Sequence, residues 1–195
     1  MTDILKTQKK LLRKKTLKKR DSLSSDERYK KSTEIVSGFF ELAENIKFKR
    51  VFTYVSFRSE VSTHRMIISL LEQGKLVSVP FTDLNKKSII PSMIKSFKDD
   101  LVPGCLGILE PDPEKIIPVP VDEIDIIVIP GAVFSENGCR IGYGGGFYDR
   151  FLQNRHILKY AFAYDFQIID GVPFDPEFDV KVDYIITEKR IVKCG

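Results

Sequence analysis

The chain has 195 residues, of which 43% are hydrophobic and 30% charged, with a formal net charge of +4. That length fits one domain over 1–195 that buries roughly 70% of the surface its unfolded form exposes, and the balance excludes both an acidic disordered chain and a dedicated nucleic-acid binder. Three scattered cysteines (Cys105, Cys139, Cys194) without a C-x-x-C pair argue against a disulfide scaffold or a closed zinc site, and no apolar run reaches a membrane span, so a cytoplasmic protein with no membrane partner is expected.

The charge is uneven. Residues 1–50 hold fifteen Lys and Arg against seven Asp and Glu, and Lys6–Arg20 alone holds nine basic residues and no acid. Ile4, Leu5, Leu11, Leu12 and Leu17 recur near helical spacing, which predicts a basic amphipathic helix with one packed apolar stripe. Such a run can be a solvated face, a contact for RNA or membrane, or a clamp for a small anion.

Ser24-Ser25-Asp26-Glu27 is a capping box, and it opens a helix carrying Ile35, Val36, Phe39, Phe40 and Leu42 to about Glu44. Val51–Phe57 is β-branched and aromatic and reads as a buried strand. Thr63 is positioned to cap a helix through Leu71 that ends at Gly74. Leu76–Val79 is the next strand, stopped by Pro80, and Ser88–Ile94 is an edge strand because of Pro91. Residues 103–120, with five prolines, read as a covering loop. Ile124–Ile129 is the most apolar strand and the expected sheet centre. A helix near Phe147–Gln153 and strands near Tyr160–Tyr164 and Tyr184–Thr187 complete the chain. This alternation predicts an α/β single domain: a mostly parallel central sheet with helices on both faces, Rossmann-like and three-layered. Ligands in such folds sit beyond the carboxyl ends of the strands, which directs attention to Phe57–Glu60 and to the long turn after Ile129.

That turn is dense in glycine. Gly142, Gly144, Gly145 and Gly146 let backbone amides approach an anion, and the following helix start adds partial positive charge. Arg140 and Arg150 flank the glycines as candidate phosphate clamps. Asp149 is the carboxylate beside them, a plausible partner for Mg²⁺ carried on phosphate oxygens. The spacing matches neither a dinucleotide fingerprint nor a P-loop. Tyr143, Phe147 and Tyr148 are candidates for stacking on a planar ring or for the core.

Pro130-Gly131-x-x-Phe134, followed by Gly138-x-Arg140-Ile141-Gly142-Tyr143-Gly144-Gly145-Gly146-Phe147-Tyr148-Asp149-Arg150-Phe151-Leu152, resembles the signature of the 5-formyltetrahydrofolate cyclo-ligase family. Lys9-x-x-x-Arg13 with Arg20-Asp21-Ser22-Leu23-Ser24, Ser56–Glu60 and Asp179–Asp183 resemble further family segments in the same order. Ser135 stands where the family often has Asp, and Phe147 where Tyr is common.

The resemblance implies ATP- and Mg²⁺-dependent cyclisation of 5-formyltetrahydrofolate to 5,10-methenyltetrahydrofolate, with ADP and phosphate released. It implies that Lys9, Lys10 and Arg13 contact ATP together with Arg140, Ile141, Gly142, Tyr143, Gly144, Gly145, Gly146, Phe147, Tyr148 and Arg150. Arg140 and Tyr148 would be catalytic. Val55, Glu60 and Tyr143–Phe147 would meet the folate, which can carry a polyglutamate tail, and Asp149 with Asp179 would hold Mg²⁺. A monomer is expected. Two other classes compete: an RNA-associated protein using Lys6–Arg20, and another phosphate-ligand enzyme on the same sheet.

Overall fold

The structure is a computed structural model that describes residues 2–104 and 107–195, so Cys105 lies outside the described residues. In chain order the helices are α1 (Asp3–Asp21), α2 (Ser25–Ala43), α3 (His64–Glu72) and α4 (Phe147–Leu152). The strands are β1 (Arg50–Thr53), β2 (Leu76–Asp83), β3 (Ser88–Ile94), β4 (Leu101–Pro103), β5 (Leu109–Pro111), β6 (Ile126–Ile129), β7 (Val133–Phe134), β8 (Arg140–Ile141), β9 (Leu158–Phe162), β10 (Tyr184–Ile186) and β11 (Ile191–Lys193). Seven of them form one sheet in the order β11-β10-β9-β6-β1-β2-β3. The five inner strands run parallel, with Phe52 opposite Ile127 and Ile129 opposite Ala161, while β3 and β11 close the edges antiparallel.

β6 is the middle strand and all four of its side chains are buried. Ile126 and Val128 join the core under α2 and α3, whereas Ile127 and Ile129 face the layer that contains α4. An unbroken apolar strand is what burial on both faces demands. α2 starts at the expected capping box: the Ser24 hydroxyl accepts from the Glu27 amide and the Glu27 carboxylate accepts from the Ser24 amide at 2.8 Å. Its Ile35, Phe39 and Ala43 recur on one face and are buried. Phe39 meets Tyr160 and Phe162 edge-on, with ring centroids 5.8 and 5.7 Å apart, joining helix to sheet.

Three local readings change. β2 does not stop at Pro80 but continues to Asp83. Pro80 lies directly opposite Pro91 on β3, and at a non-hydrogen-bonded pair neither residue needs an N–H. Thr63 does occupy the N-cap of α3, but its hydroxyl donates to the Tyr54 carbonyl at 2.8 Å instead of capping. That bond closes the bend after β1. Among the described residues of 103–120, Pro103 and Leu109–Pro111 belong to the β4–β5 pair and the Val119 amide donates to the Pro91 carbonyl at 2.9 Å, which shields the open side of β3.

The parallel strands run β1, β2, then β6, β9 and β10 in chain order, so the winding reverses between β1 and β6. Loops leaving those two strands diverge and open a crevice. The β1 loop carries Glu60. The β6 loop leads through the β7–β8 hairpin into the glycine run.

Candidate active site

α1 lies across this crevice, and the face it buries is not the predicted apolar stripe. Ile4 and Leu11 are 72% and 63% exposed. The buried residues are Lys9, Thr16 and Arg20, with Arg13 half-buried and Leu12 and Leu17 packing on either side against the β7–β8 hairpin cluster. At about 100° per residue, Lys9, Arg13, Thr16 and Arg20 fall within roughly 60° of arc. The centre of the packed face is therefore cationic. Lys10 and the other lysines of the run face water.

Each inward cation has a distinct partner. Lys9 forms a buried ion pair with Asp179, 170 residues away. Arg13 donates from Nε to the Gly142 carbonyl at 2.7 Å, and its guanidinium stands over Gly144. Arg20 donates from Nη1 to the Tyr143 hydroxyl at 2.7 Å and from Nε to Ser59 Oγ at 3.1 Å. The Ser59 hydroxyl in turn donates to Asp21.

Gly144 (φ 103°) and Gly146 (φ 65°) adopt left-handed backbone that glycine tolerates best. A Cβ at Gly144 would come 3.3 Å from Arg13 Nη1, and one at Gly146 would come 2.8 Å from Arg150 Nη1. The loop is thus a shallow cradle with a guanidinium at each end. Arg150 spends its fork on the Lys87 and Gly145 carbonyls, tying the β2–β3 turn to the loop; this corrects its reading as an open phosphate clamp.

Beneath the cradle lies Arg140. Its side chain is 2% exposed and bonds Asp149 Oδ1 at 2.6 Å and the Pro130 carbonyl at 3.2 Å. Its Nε has no partner, and its guanidinium carbon is 5.9 Å from the Tyr148 ring centroid. The reading of Arg140 as a phosphate clamp is changed by its burial: the side chain supports the loop from inside. Ile141 and Val55 also point into the core, so only their backbone remains for a ligand. Phe147 and Tyr148 are half-buried against the α4-side core.

Glu60 faces the crevice from the β1 loop. Its carboxylate accepts from the Phe57 amide at 2.8 Å. Burial pushes its carboxyl above the ordinary value, while Tyr143, the Phe57 amide and the Arg20 charge hold it back. Burial, and then the Glu60 charge, drive the Tyr143 phenol far above its ordinary value. Tyr143 therefore stays protonated, and its hydroxyl accepts from Arg20. The residue is 43% exposed even though the hydroxyl is turned inward. Burial likewise keeps the Tyr148 phenol protonated, so it can donate but not act as a base.

Among the described residues no group of three or more His, Cys, Asp or Glu could hold a metal. Asp149 is paired with Arg140, and Asp179 with Lys9 and the Asp175 amide. Such carboxylates fit a Mg²⁺ that arrives on phosphate oxygens, one or two protein ligands being enough for that ion. They do not fit an ion caged by protein alone. Arg20 and Ser59 had no role in the sequence reading. The signal was available: Lys9, Arg13 and Arg20 share one helical face.

A doubly wound sheet with a cation-lined crevice at its switch point defines the Rossmann-like class of ligand-binding α/β domains. The chain matches the model of the 5-formyltetrahydrofolate cyclo-ligase family over residues 5–188. It is 30% identical to the 5-formyltetrahydrofolate cyclo-ligase of Haemophilus influenzae over 84% of this chain and 91% of the relative. It is 32% identical to a probable 5-formyltetrahydrofolate cyclo-ligase of Caenorhabditis elegans over 86% and 87%. The solved 5,10-methenyltetrahydrofolate synthetase of Aquifex aeolicus superposes with a TM-score of 0.83 at 33% identity, covering 95% of this chain and 92% of that one. The chain belongs to the 5-formyltetrahydrofolate cyclo-ligase family and is an enzyme of that class.

Proposed function

We propose that the protein closes 5-formyltetrahydrofolate to 5,10-methenyltetrahydrofolate at the expense of ATP, with Mg²⁺. The carrying observation is one crevice that holds both a glycine cradle flanked by Arg13 and Arg150 and a buried carboxylate, Glu60. The cradle suits a triphosphate, and the carboxylate suits the donor-rich edge of a reduced pterin.

An N-formyl oxygen is a poor leaving group. Phosphorylation of that oxygen lets N10 attack the formyl carbon, after which phosphate departs. Such transfer needs positioning and charge neutralisation more than a protein nucleophile. In this reading Lys9, Lys10 and Arg13 from α1 hold the nucleotide, with the Gly142–Gly146 amides and Phe147 around it. Arg140 supports the loop electrostatically from below, and Tyr148 donates to the reacting oxygens. Glu60, Tyr143 and the Val55 backbone hold the folate. Asp149 and Asp179 would take Mg²⁺, which neutralises phosphate charge, and both would have to share or leave their present basic partners. A cytoplasmic monomer acting on folate, with or without a polyglutamate tail, completes the proposal.

Pure protein should produce the methenyl chromophore from 5-formyltetrahydrofolate only when ATP and Mg²⁺ are both present. Absence of that absorbance change would refute the function. A pH profile adds a second check. Glu60 must be ionised to accept pterin donors, and its carboxyl is raised by burial. The acid limb of kcat/KM for folate should then fall at a pH above the ordinary glutamate value of about 4.3. Glu60→Gln should cut kcat/KM and erase that limb; a limb unchanged in this variant would remove Glu60 from the folate site.

A further inference from the structure

The contacts of Arg20 have a use beyond holding α1 in place. Arg20 is 5% exposed, yet it sits in the last turn of a helix whose neighbouring lysines are solvated. Burying a guanidinium is costly unless its donors are satisfied. Here three oxygens from three chain segments take them: Ser59 Oγ in the β1 loop at 3.1 Å, the Gly131 carbonyl after β6 at 3.4 Å, and the Tyr143 hydroxyl in the glycine run at 2.7 Å. Its guanidinium carbon also lies 5.5 Å from the Tyr143 ring centroid. Ser59 is the chain neighbour of Glu60, so Arg20 ties the glycine run to the loop that carries the carboxylate.

We propose that Arg20 is a positioning residue: it latches Tyr143, and through it the glycine loop, onto the β1 loop that carries Glu60. It touches neither the cradle nor the carboxylate directly in this role. Gly142 and Gly144 flank Tyr143 and offer no side chains of their own, so Tyr143 is the side chain through which Arg20 can grip the loop here. Only a planar fork can serve Ser59, Gly131 and Tyr143 together; a lysine presents a single point charge. Because Lys9 and Arg13 lie on the same face of the same helix, the latch also fixes the loop relative to the nucleotide-side cations.

This inference rests on the proposed folate role of Glu60, and its test separates the two. Hydrogen exchange by mass spectrometry on the amides of residues 142–146 reads the latch without any substrate. Arg20→Lys and Tyr143→Phe should each speed exchange there about tenfold, with exchange in β6 unchanged. Steady-state kinetics then read its consequence: KM for 5-formyltetrahydrofolate up about tenfold, KM for ATP up by clearly less because Arg13 keeps its own bond to Gly142, and a double variant little worse than either single one. Unchanged loop exchange in both variants overturns the latch, even if the wild-type protein does not close the folate ring. Faster exchange with an unchanged folate KM overturns the positioning role. So does an equal rise in both KM values, the mark of a general loss of structure. A wild-type protein with no turnover refutes the proposed function instead, and the exchange result still decides the latch.

Discussion

Arg140→Ala is expected to lower the unfolding free energy by about 3 kcal/mol and to reduce ring closure at least about a hundredfold at temperatures where the variant is folded. The stability loss follows from where the side chain lies. It is almost wholly enclosed, and its removal strands the Asp149 carboxylate and the Pro130 carbonyl while opening a void under Gly142. Breaking a buried pair from one side costs about 3–5 kcal/mol, and the 19% exposure of Asp149 trims that figure. The activity loss follows from the same contacts, because the loop that carries Tyr143 and the cradle amides loses its floor. Urea unfolding and the methenyl absorbance assay measure the two effects. Replacing both Arg140 and Asp149 by alanine should cost less stability than the two single losses combined, since no charge is then left unpaired. An Arg140→Ala variant as stable as wild type would mean that the side chain is not the support described above.

Gly144→Ala should produce the opposite pattern, a folded protein with a damaged nucleotide site. Residue 144 is exposed, so no core packing depends on it. Its φ of 103° is poorly accessible to an L side chain, at a strain of order 1–3 kcal/mol. The new Cβ would also press on Arg13, whose guanidinium must keep both its place and its bond to the Gly142 carbonyl. We expect KM for ATP to rise at least about tenfold, with the melting temperature lowered by no more than about 12 °C. KM for ATP at the wild-type value would show that the cradle does not need this backbone geometry.

The fold was legible wherever the pattern depended on local chemistry or on full burial. The Ser24–Glu27 box marked the start of α2, and the apolar run at 126–129 marked the sheet centre. Pro80 misled because a proline's effect depends on which residue lies opposite, and Pro91 comes eleven positions later in a strand pairing that no local pattern reveals. The α1 stripe is legible only in part: Leu12 and Leu17 pack on the β7–β8 hairpin cluster, but between them the helix seats its cations on a carbonyl, a carboxylate and a phenol, which hydrophobicity does not mark. Among the candidate site residues, the glycines could be read from their sequence alone. What Arg140, Arg150 and Asp149 do in the fold could not, because each spends its charge on a partner that only the tertiary structure brings near.

The Lys9–Asp179 pair also bears on how the protein is made. α1 leaves the ribosome before the other elements of the fold, but the carboxylate that receives Lys9 is translated 170 residues later. Tyr143, the partner of Arg20, follows its own helix by 123 residues. Until those segments emerge, α1 has no seat for its inward cations, and its basic face is open to whatever polyanion is nearby. The crevice can therefore be completed only after Asp179 has emerged. α1 is translated before the other elements of the fold yet docks fully only after them, and a chain cut short before Asp179 cannot form the Lys9 contact.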